Sequence, residues 1–307
     1  MKVFDLHADI ACAIEDDAAN GEKTVLRDHW KKRFSDGELT WSAAASFFAG
    51  KESWEDMVRT VKMVSDDIGA SEFKKILSPE DLNENQDGTA FMMTIEGMCG
   101  IHDHVSEKIQ WLYDQGNRIG SLEWNDQNDL ATGNSGDPCR GLTQMGFEAV
   151  KKMNELHFIL DVSHANEYTF WDVLSASSLP ILATHSNAKH NCFHERNLTD
   201  QQLRAVAEKD GLVGMNSCAP FISEKAEEQD AMHLAEHARY IADLIGVEHV
   251  ACGFDFGGYY SEKKRLDLGG PEDTQNFIHA LNKVGFGEED IMAIAYGNVF
   301  RFLRRYM

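Results

Sequence analysis

A histidine and an aspartate two residues apart close the first apolar run of the chain, Val3-Phe4-Asp5-Leu6-His7-Ala8-Asp9. Side chains of a strand alternate between faces, so His7 and Asp9 point the same way at its end. An imidazole nitrogen beside a carboxylate oxygen suits zinc and similar divalent ions, given a few further ligands to close the site. Other apolar runs end in the same chemistry: Phe91-Met92-Met93-Thr94-Ile95 in Glu96, Phe158-Ile159-Leu160-Asp161-Val162-Ser163 in His164, Ile181-Leu182-Ala183-Thr184 in His185, and Val250-Ala251-Cys252-Gly253-Phe254 in Asp255. Taken singly, each has an ordinary structural use, as a buried histidine bonded to a carbonyl or a carboxylate capping a helix. The weight rests on the set. Five ligands and an additional acid exceed what one tetrahedral zinc can use, which favours two metals over one. Arg196, placed after the His185 run, is within reach of the same mouth; solvated helix-start duty is its alternative. The histidines at 102, 104, 190 and 194 fall in loops, and those at 29, 233, 237 and 279 in helical or connecting segments, where surface or supporting roles are expected.

These residues need elements that bring them to one face. Eight strand-like runs can be read along the chain, separated mostly by helical ones and lacking the alternation of half-exposed antiparallel strands. That is the pattern of parallel strands covered by helices, and eight of them argue for a (β/α)8 TIM barrel filling residues 1–307 as a single domain. In such a barrel the C-terminal strand ends open on one face, where catalytic groups stand. Ser42-Ala43-Ala44-Ala45-Ser46-Phe47-Phe48 suits a buried strand or a helix equally well. Residues 11 to about 40 read as an elaborated loop with some helix. Trp54, Met57, Val58, Val61, Val64 and Ile68 recur at helical spacing, Gly116 stops a helix carrying Ile109 and Leu112, Thr143 caps the next, and Thr199 with Gln202 forms a capping box. A closing helix is expected from Glu288 to Arg304.

Composition narrows the partners. A net charge of −22 argues against nucleic acid or an anionic membrane surface, which require a basic footprint. No stretch reaches transmembrane length, and neither end carries an apolar signal core or anchor. The six cysteines, at 12, 99, 139, 192, 218 and 252, show no Cys-x-x-Cys spacing and read as reduced thiols. A cytoplasmic protein acting on a small molecule is expected, with homo-oligomerisation left open.

The segments Asp5-Leu6-His7-Ala8-Asp9, Ile95-Glu96-Gly97, Gly141-Leu142-Thr143, Asp161-Val162-Ser163-His164, Thr184-His185-Ser186-Asn187, Arg196-Asn197-Leu198-Thr199-Asp200 and Gly253-Phe254-Asp255-Phe256, in that order, resemble the zinc-dependent membrane (renal) dipeptidase family, peptidase family M19, of the amidohydrolase superfamily. The likeness runs nearly the whole chain, to Tyr296-Gly297-Asn298. It implies a binuclear zinc site in a (β/α)8 barrel: His7 and Asp9 on one zinc, His164 and His185 on the other, and Glu96 bridging the two Zn2+ ions. It further implies that Arg196 holds the substrate's C-terminal carboxylate and that Asp255 handles protons while a zinc-activated hydroxide attacks the amide of a dipeptide.

Two departures from the family pattern bear on substrate. Trp124, in Leu122-Glu123-Trp124-Asn125, stands where the family often has a substrate-contacting histidine, leaving Asn125 or Asn128 as replacement donors and making Trp124 and Asn125 candidate substrate contacts. Gly257 stands where a second acid is usual. The leading expectation is a zinc dipeptidase, with acceptance of a D-residue at the C-terminal position following from the family. Beside it stand a related metal hydrolase of N-acyl amino acids or lactams, suggested by Trp124, and a metal-loaded barrel that binds peptide without cleaving it.

Overall fold

A computed structural model of the chain describes residues 1–257 and 267–307. Eight parallel strands form the barrel: β1 Val3–Ala8, β2 Leu39–Phe47, β3 Ala90–Glu96, β4 Asn117–Ser121, β5 Ile159–Leu160, β6 Leu182–Ala183, β7 Leu212–Met215 and β8 Val250–Cys252. Their spatial order is β5-β4-β3-β2-β1-β8-β7-β6. The two ends of that path meet at a parallel bridge between Asp161 and Leu182, with Val162 N donating to Leu182 O at 2.8 Å. The result is the near-closed (β/α)8 barrel expected. A further two-residue strand, Lys74–Lys75, pairs with β3 outside the ring.

The alanine run that suited helix or strand alike is β2. Its residues Trp41 to Phe47 pair one-for-one with Ala90 to Glu96, so burial between two neighbours overrides alanine's helical preference. Inside the barrel, Phe4, Leu6, Trp41, Met92, Leu182 and Leu212 form one apolar cluster. The helix Asn298–Tyr306 closes its lower end, packing Phe300 against Trp41 with ring centroids 4.7 Å apart and against Phe4 at 6.2 Å. The interior is therefore a filled core and not a pore.

Residues 11–40 hold more helix than the loop with some helix expected: they form the helix Ile10–Ala19, a π-helical turn Leu26–Trp30 and the helix Lys31–Asp36. The reason is a cap supplied from afar. Asp67, on the helix Trp54–Ala70, accepts from the backbone N–H groups of Val25 and Leu26 at 2.9 and 3.0 Å. A π turn also shifts the apolar period by one residue, which hides it from a 3.6-residue reading. The same device splits the closing helix into Glu288–Met292, a π turn Ala293–Gly297 and Asn298–Tyr306. The caps at Thr143 and Thr199 form as expected, each hydroxyl accepting from a backbone N–H three residues on. None of the six cysteines is joined to another by a disulfide among the described residues. No helix among the described residues is long and apolar enough to cross a membrane.

Candidate active site

The upper rim of the barrel receives its chemistry from the points where strands end. At β1 the ladder breaks after Asp5, whose Oδ1 accepts from His7 N at 3.2 Å and from Phe254 N at 2.8 Å. Past the break the chain pairs with the segment after β8: Asp255 N donates to His7 O at 2.9 Å and Asp9 N to Phe256 O at 2.8 Å. His7, Asp9 and Asp255 are thereby carried as one unit. Glu96 ends β3 and is followed by Gly97 at φ +84, where a Cβ would lie 2.9 Å from Phe48 O, so only glycine fits the exit.

His7, Asp9, Glu96, His164 and His185 converge, all buried. Glu96 stands between two donor sets. Its Oε2 lies 3.4 Å from His7 Nε2, and its Oε1 lies 2.7 Å from His164 Nε2 and 3.5 Å from His185 Nε2. His7 Nε2 is 3.4 Å from Asp9 Oδ1 and 3.9 Å from Asp255 Oδ1, while the Nε2 atoms of His164 and His185 are 3.0 Å apart.

These spacings test whether the residues fit a metal. Two ligand atoms about 2.0–2.2 Å from one tetrahedral zinc lie about 3.3–3.5 Å apart. The 3.4 Å separations around His7 match that figure and exceed a good hydrogen bond, and His7 Nε2 and Asp9 Oδ1 are buried with no hydrogen-bond partner. His164 sits closer to Glu96 and His185 than two ligands of one ion would. The cage as a whole is crowded with acceptors and short of positive charge, which is what a divalent cation corrects. Among the described residues, the ligand groupings at this site are Glu96–His164–His185 and His7–Asp161–His185, both buried, and His7–Asp9–Asp255, in which Asp255 is half-buried.

The protonation of the cage follows the same imbalance. Burial raises the Glu96 carboxyl to about 8. Burial opposes charge on His7, but Glu96 and Asp9 outweigh it and lift that imidazole well above its ordinary value. His164 and His185 are pushed well below theirs, by burial first and then by Arg196 and His7. The downward shift at His164 and His185 favours the neutral imidazole that metal binding requires.

A pocket of about 250 Å³ opens over the cage, lined by Asp9, Glu96, His164, Asp255 and Arg196, with Phe47, Trp124, Asn125, Asn134, Ser135, His194, Glu195 and Phe221 around them. Of the residues singled out in the sequence, Asp9, Glu96, Trp124, Asn125, His164, Arg196 and Asp255 reach its wall, whereas His7, His185, Asn128 and Gly257 do not. Arg196 is buried; its Nη2 lies 3.0 Å from His164 Nε2, while Nε and Nη1 have no hydrogen-bond partner. Trp124 meets Phe47 edge-on with centroids 5.0 Å apart and stands 5.9 Å from the His164 ring, so this wall is aromatic. Asn125 faces the pocket but spends its carbonyl on His164 Nδ1 at 2.9 Å, so Nδ1 donates and Nε2, beside Glu96 and Arg196, carries the lone pair. Asn128 is no donor to the pocket: its side chain binds Leu122 O, Leu130 N and Ala131 N within its own loop. Gly257 has φ +85 with a Cβ position 3.2 Å from Asp9 O, so an acid there would be strained. Phe221, His194 and Glu195 carried no signal in the sequence, since a loop and the four-residue helix Ala219–Ile222 are too short to show a period that betrays which way they face.

Asn125→Ala is expected to weaken metal binding on the His164 side by roughly 10–100-fold, the usual cost of losing an outer-shell partner. Competition with a graded chelator measures it; wild-type affinity in the variant would limit Asn125 to the pocket wall.

Comparison with known proteins is consistent with this geometry. The family model described as Membrane dipeptidase (Peptidase family M19) matches residues 1–306. A Klebsiella pneumoniae chain described as an uncharacterized protein in the pqqA 5' region is 30% identical over 262 residues, covering 82% of this chain and 94% of that one. The dipeptidase aclJ of Aspergillus oryzae is 29% identical over 218 residues, 69% of this chain but 50% of its own, so the match spans half of that relative. A crystal structure of a metallo peptidase from Rhodobacter sphaeroides, liganded with a phosphinate mimic of the dipeptide L-Ala-D-Ala, superposes with a TM-score of 0.88 at 22% identity, over 100% of this chain and 99% of that one. The barrel fold is common to both.

Proposed function

The chain belongs to the membrane dipeptidase family, peptidase family M19, and from that premise we propose that it is a binuclear zinc dipeptidase that cleaves the amide bond of small dipeptides. The observation that carries the reading is Glu96, a buried carboxylate with one oxygen toward His7 and the other toward His164 and His185, in a pocket shared with a buried arginine. His7 and Asp9 would hold one ion, His164 and His185 the other, and Glu96 both. The chemistry such ions supply when bound is Lewis acidity, which makes water a nucleophile near neutral pH and polarises a carbonyl.

The remaining steps belong to the protein's own groups. Arg196, a buried guanidinium on the pocket wall with Nε and Nη1 lacking a partner inside the protein, would hold the C-terminal carboxylate of a dipeptide and so fix its register over the cage. Asp255, on the pocket wall 3.9 Å from His7, takes a proton from the attacking water and returns it to the departing amine. Trp124 and Phe47 exclude water along one side. A D-residue next to Arg196 is within the proposed substrate range, in keeping with the mimic held by the Rhodobacter neighbour. The aromatic wall at Trp124 favours one second reading, an amidohydrolase of N-acyl amino acids, whose free carboxylate Arg196 would hold equally well. Cysteines that are not joined in disulfides fit a reducing, cytoplasmic setting.

The test is metal content per chain measured beside hydrolysis of L-Ala-L-Ala, L-Ala-D-Ala and N-acetyl-alanine. About two zinc ions with cleavage of dipeptides is the expected result. Cleavage of the acetylated substrate alone would transfer the assignment to the second reading, and a chain that takes up no metal would overturn both.

A further inference from the structure

The barrel is weakest where it closes. β5 and β6 are two residues each and share a single backbone bridge, yet His164 and His185 follow directly on either side of that seam. What joins the two sides is the side chain of Asp161. Its Oδ1 accepts from Ser163 N at 3.0 Å, Ser163 Oγ at 2.6 Å and Thr184 N at 3.0 Å, and its Oδ2 accepts from Thr184 Oγ1 at 2.5 Å. Both hydroxyls pass the connection to His185: Ser163 Oγ accepts from His185 N at 3.1 Å, and Thr184 Oγ1 lies 2.8 Å from His185 Nδ1.

Counting protons along this chain fixes the tautomer of His185. A hydroxyl carries one hydrogen, and that of Thr184 is committed to a carboxylate, which can only accept. The contact to His185 Nδ1 is then a hydrogen bond only if the ring nitrogen donates. Nδ1 bears the proton, and Nε2, turned toward Glu96, keeps its lone pair. The relay also holds the backbone and the ring of His185 to one anchor.

The geometry points to Asp161 as the positioning residue of the site: acting through Ser163 and Thr184, it replaces the missing strand ladder at the seam, sets the spacing of His164 and His185, and presents His185 Nε2 as a metal ligand. This rests on the proposal that the two histidines share an ion. Asp161 also lies within ligand reach of His7 and His185, but its oxygens are already engaged by four donors, so it is assigned to holding ligands and not to being one.

Thr184→Val keeps the shape of the side chain and removes only the relay, and Thr184→Ser restores the hydroxyl. In the zinc-loaded full chain, Thr184→Val is expected to keep the ion at His7 and Asp9 and bind the other roughly 10–100-fold more weakly. Thr184→Ser should return to within about threefold of wild type. Nitrogen-15 spectra of the imidazoles should find His185 protonated at Nδ1 in wild type and mixed between tautomers in Thr184→Val. Asp161→Asn should lose the second ion outright; if it does not fold, Thr184→Val still decides. A Thr184→Val protein with both ions at wild-type affinity and an unchanged His185 tautomer would overturn the inference while leaving the dipeptidase reading intact. A wild-type chain that binds no second ion would remove both.

Discussion

Asp255→Asn is expected to retain its metal and lose roughly 10²–10⁴ of its turnover, the range of a general acid–base group. The substitution suits the site unusually well as a probe. Asp255 sits at φ +64, a left-handed conformation that asparagine tolerates as readily as aspartate, so the backbone pays nothing for the change. Asn216 Nδ2 donates to Asp255 Oδ2 at 3.1 Å, and an amide oxygen can accept the same bond. What disappears is the capacity to carry a proton. Because Asp255 travels on the segment clamped by Asp5 and His7 O, its position relative to the cage should survive. Metal per chain and kcat, measured on the same preparation, separate the possibilities. Full turnover would take Asp255 out of proton transfer, and loss of an ion would move it into the ligand set with His7 and Asp9.

The second large effect is expected at Arg196. Arg196→Met should lower kcat/KM for free dipeptides by on the order of 10²–10³, mostly through KM, since truncating one partner of a buried charge pair costs roughly 2–5 kcal/mol. Dipeptide C-terminal amides should lose little, because they offer no carboxylate to hold. The melting temperature should hold or rise: a buried guanidinium with Nε and Nη1 unpaired is a cost to the folded chain, and methionine fills similar space without it. A variant equally impaired on acids and amides, or one that melts several degrees lower, would make Arg196 a structural residue instead.

The residues brought together at the rim were legible because strand ends and apolar runs coincide in a parallel barrel. His7, Glu96, His164, His185 and Asp255 each terminate such a run, and parallel packing sends all those ends one way. Strand lengths were not legible: Phe158 to Val162 reads as a continuous strand, yet only Ile159–Leu160 pairs as one, because Asp161 replaces the ladder with side-chain bonds. The helices before β2 were hidden for a related reason, their cap being Asp67 some forty residues away and their period broken by a π turn. Asn125 and Asn128 look alike in sequence, both polar residues of one loop. Only the fold separates the one that orients His164 from the one that braces its own turn. Trp124 was visible as a departure, and its partner Phe47 was not, because their contact joins β2 to the loop after β4.

The helix Asn298–Tyr306, seated under Trp41 and Phe4, has a kinetic meaning as well as a structural one. With the floor of the barrel filled, the pocket is a cul-de-sac among the described residues, and under the proposed function the substrate and both of its fragments would share one doorway. If Arg196 holds the carboxylate as proposed, the fragment bearing it would leave second and compete with the next dipeptide for its place, whereas the fragment nearer the rim would depart first. Under that reading the grip that selects the substrate would also set how long its remnant delays the next one.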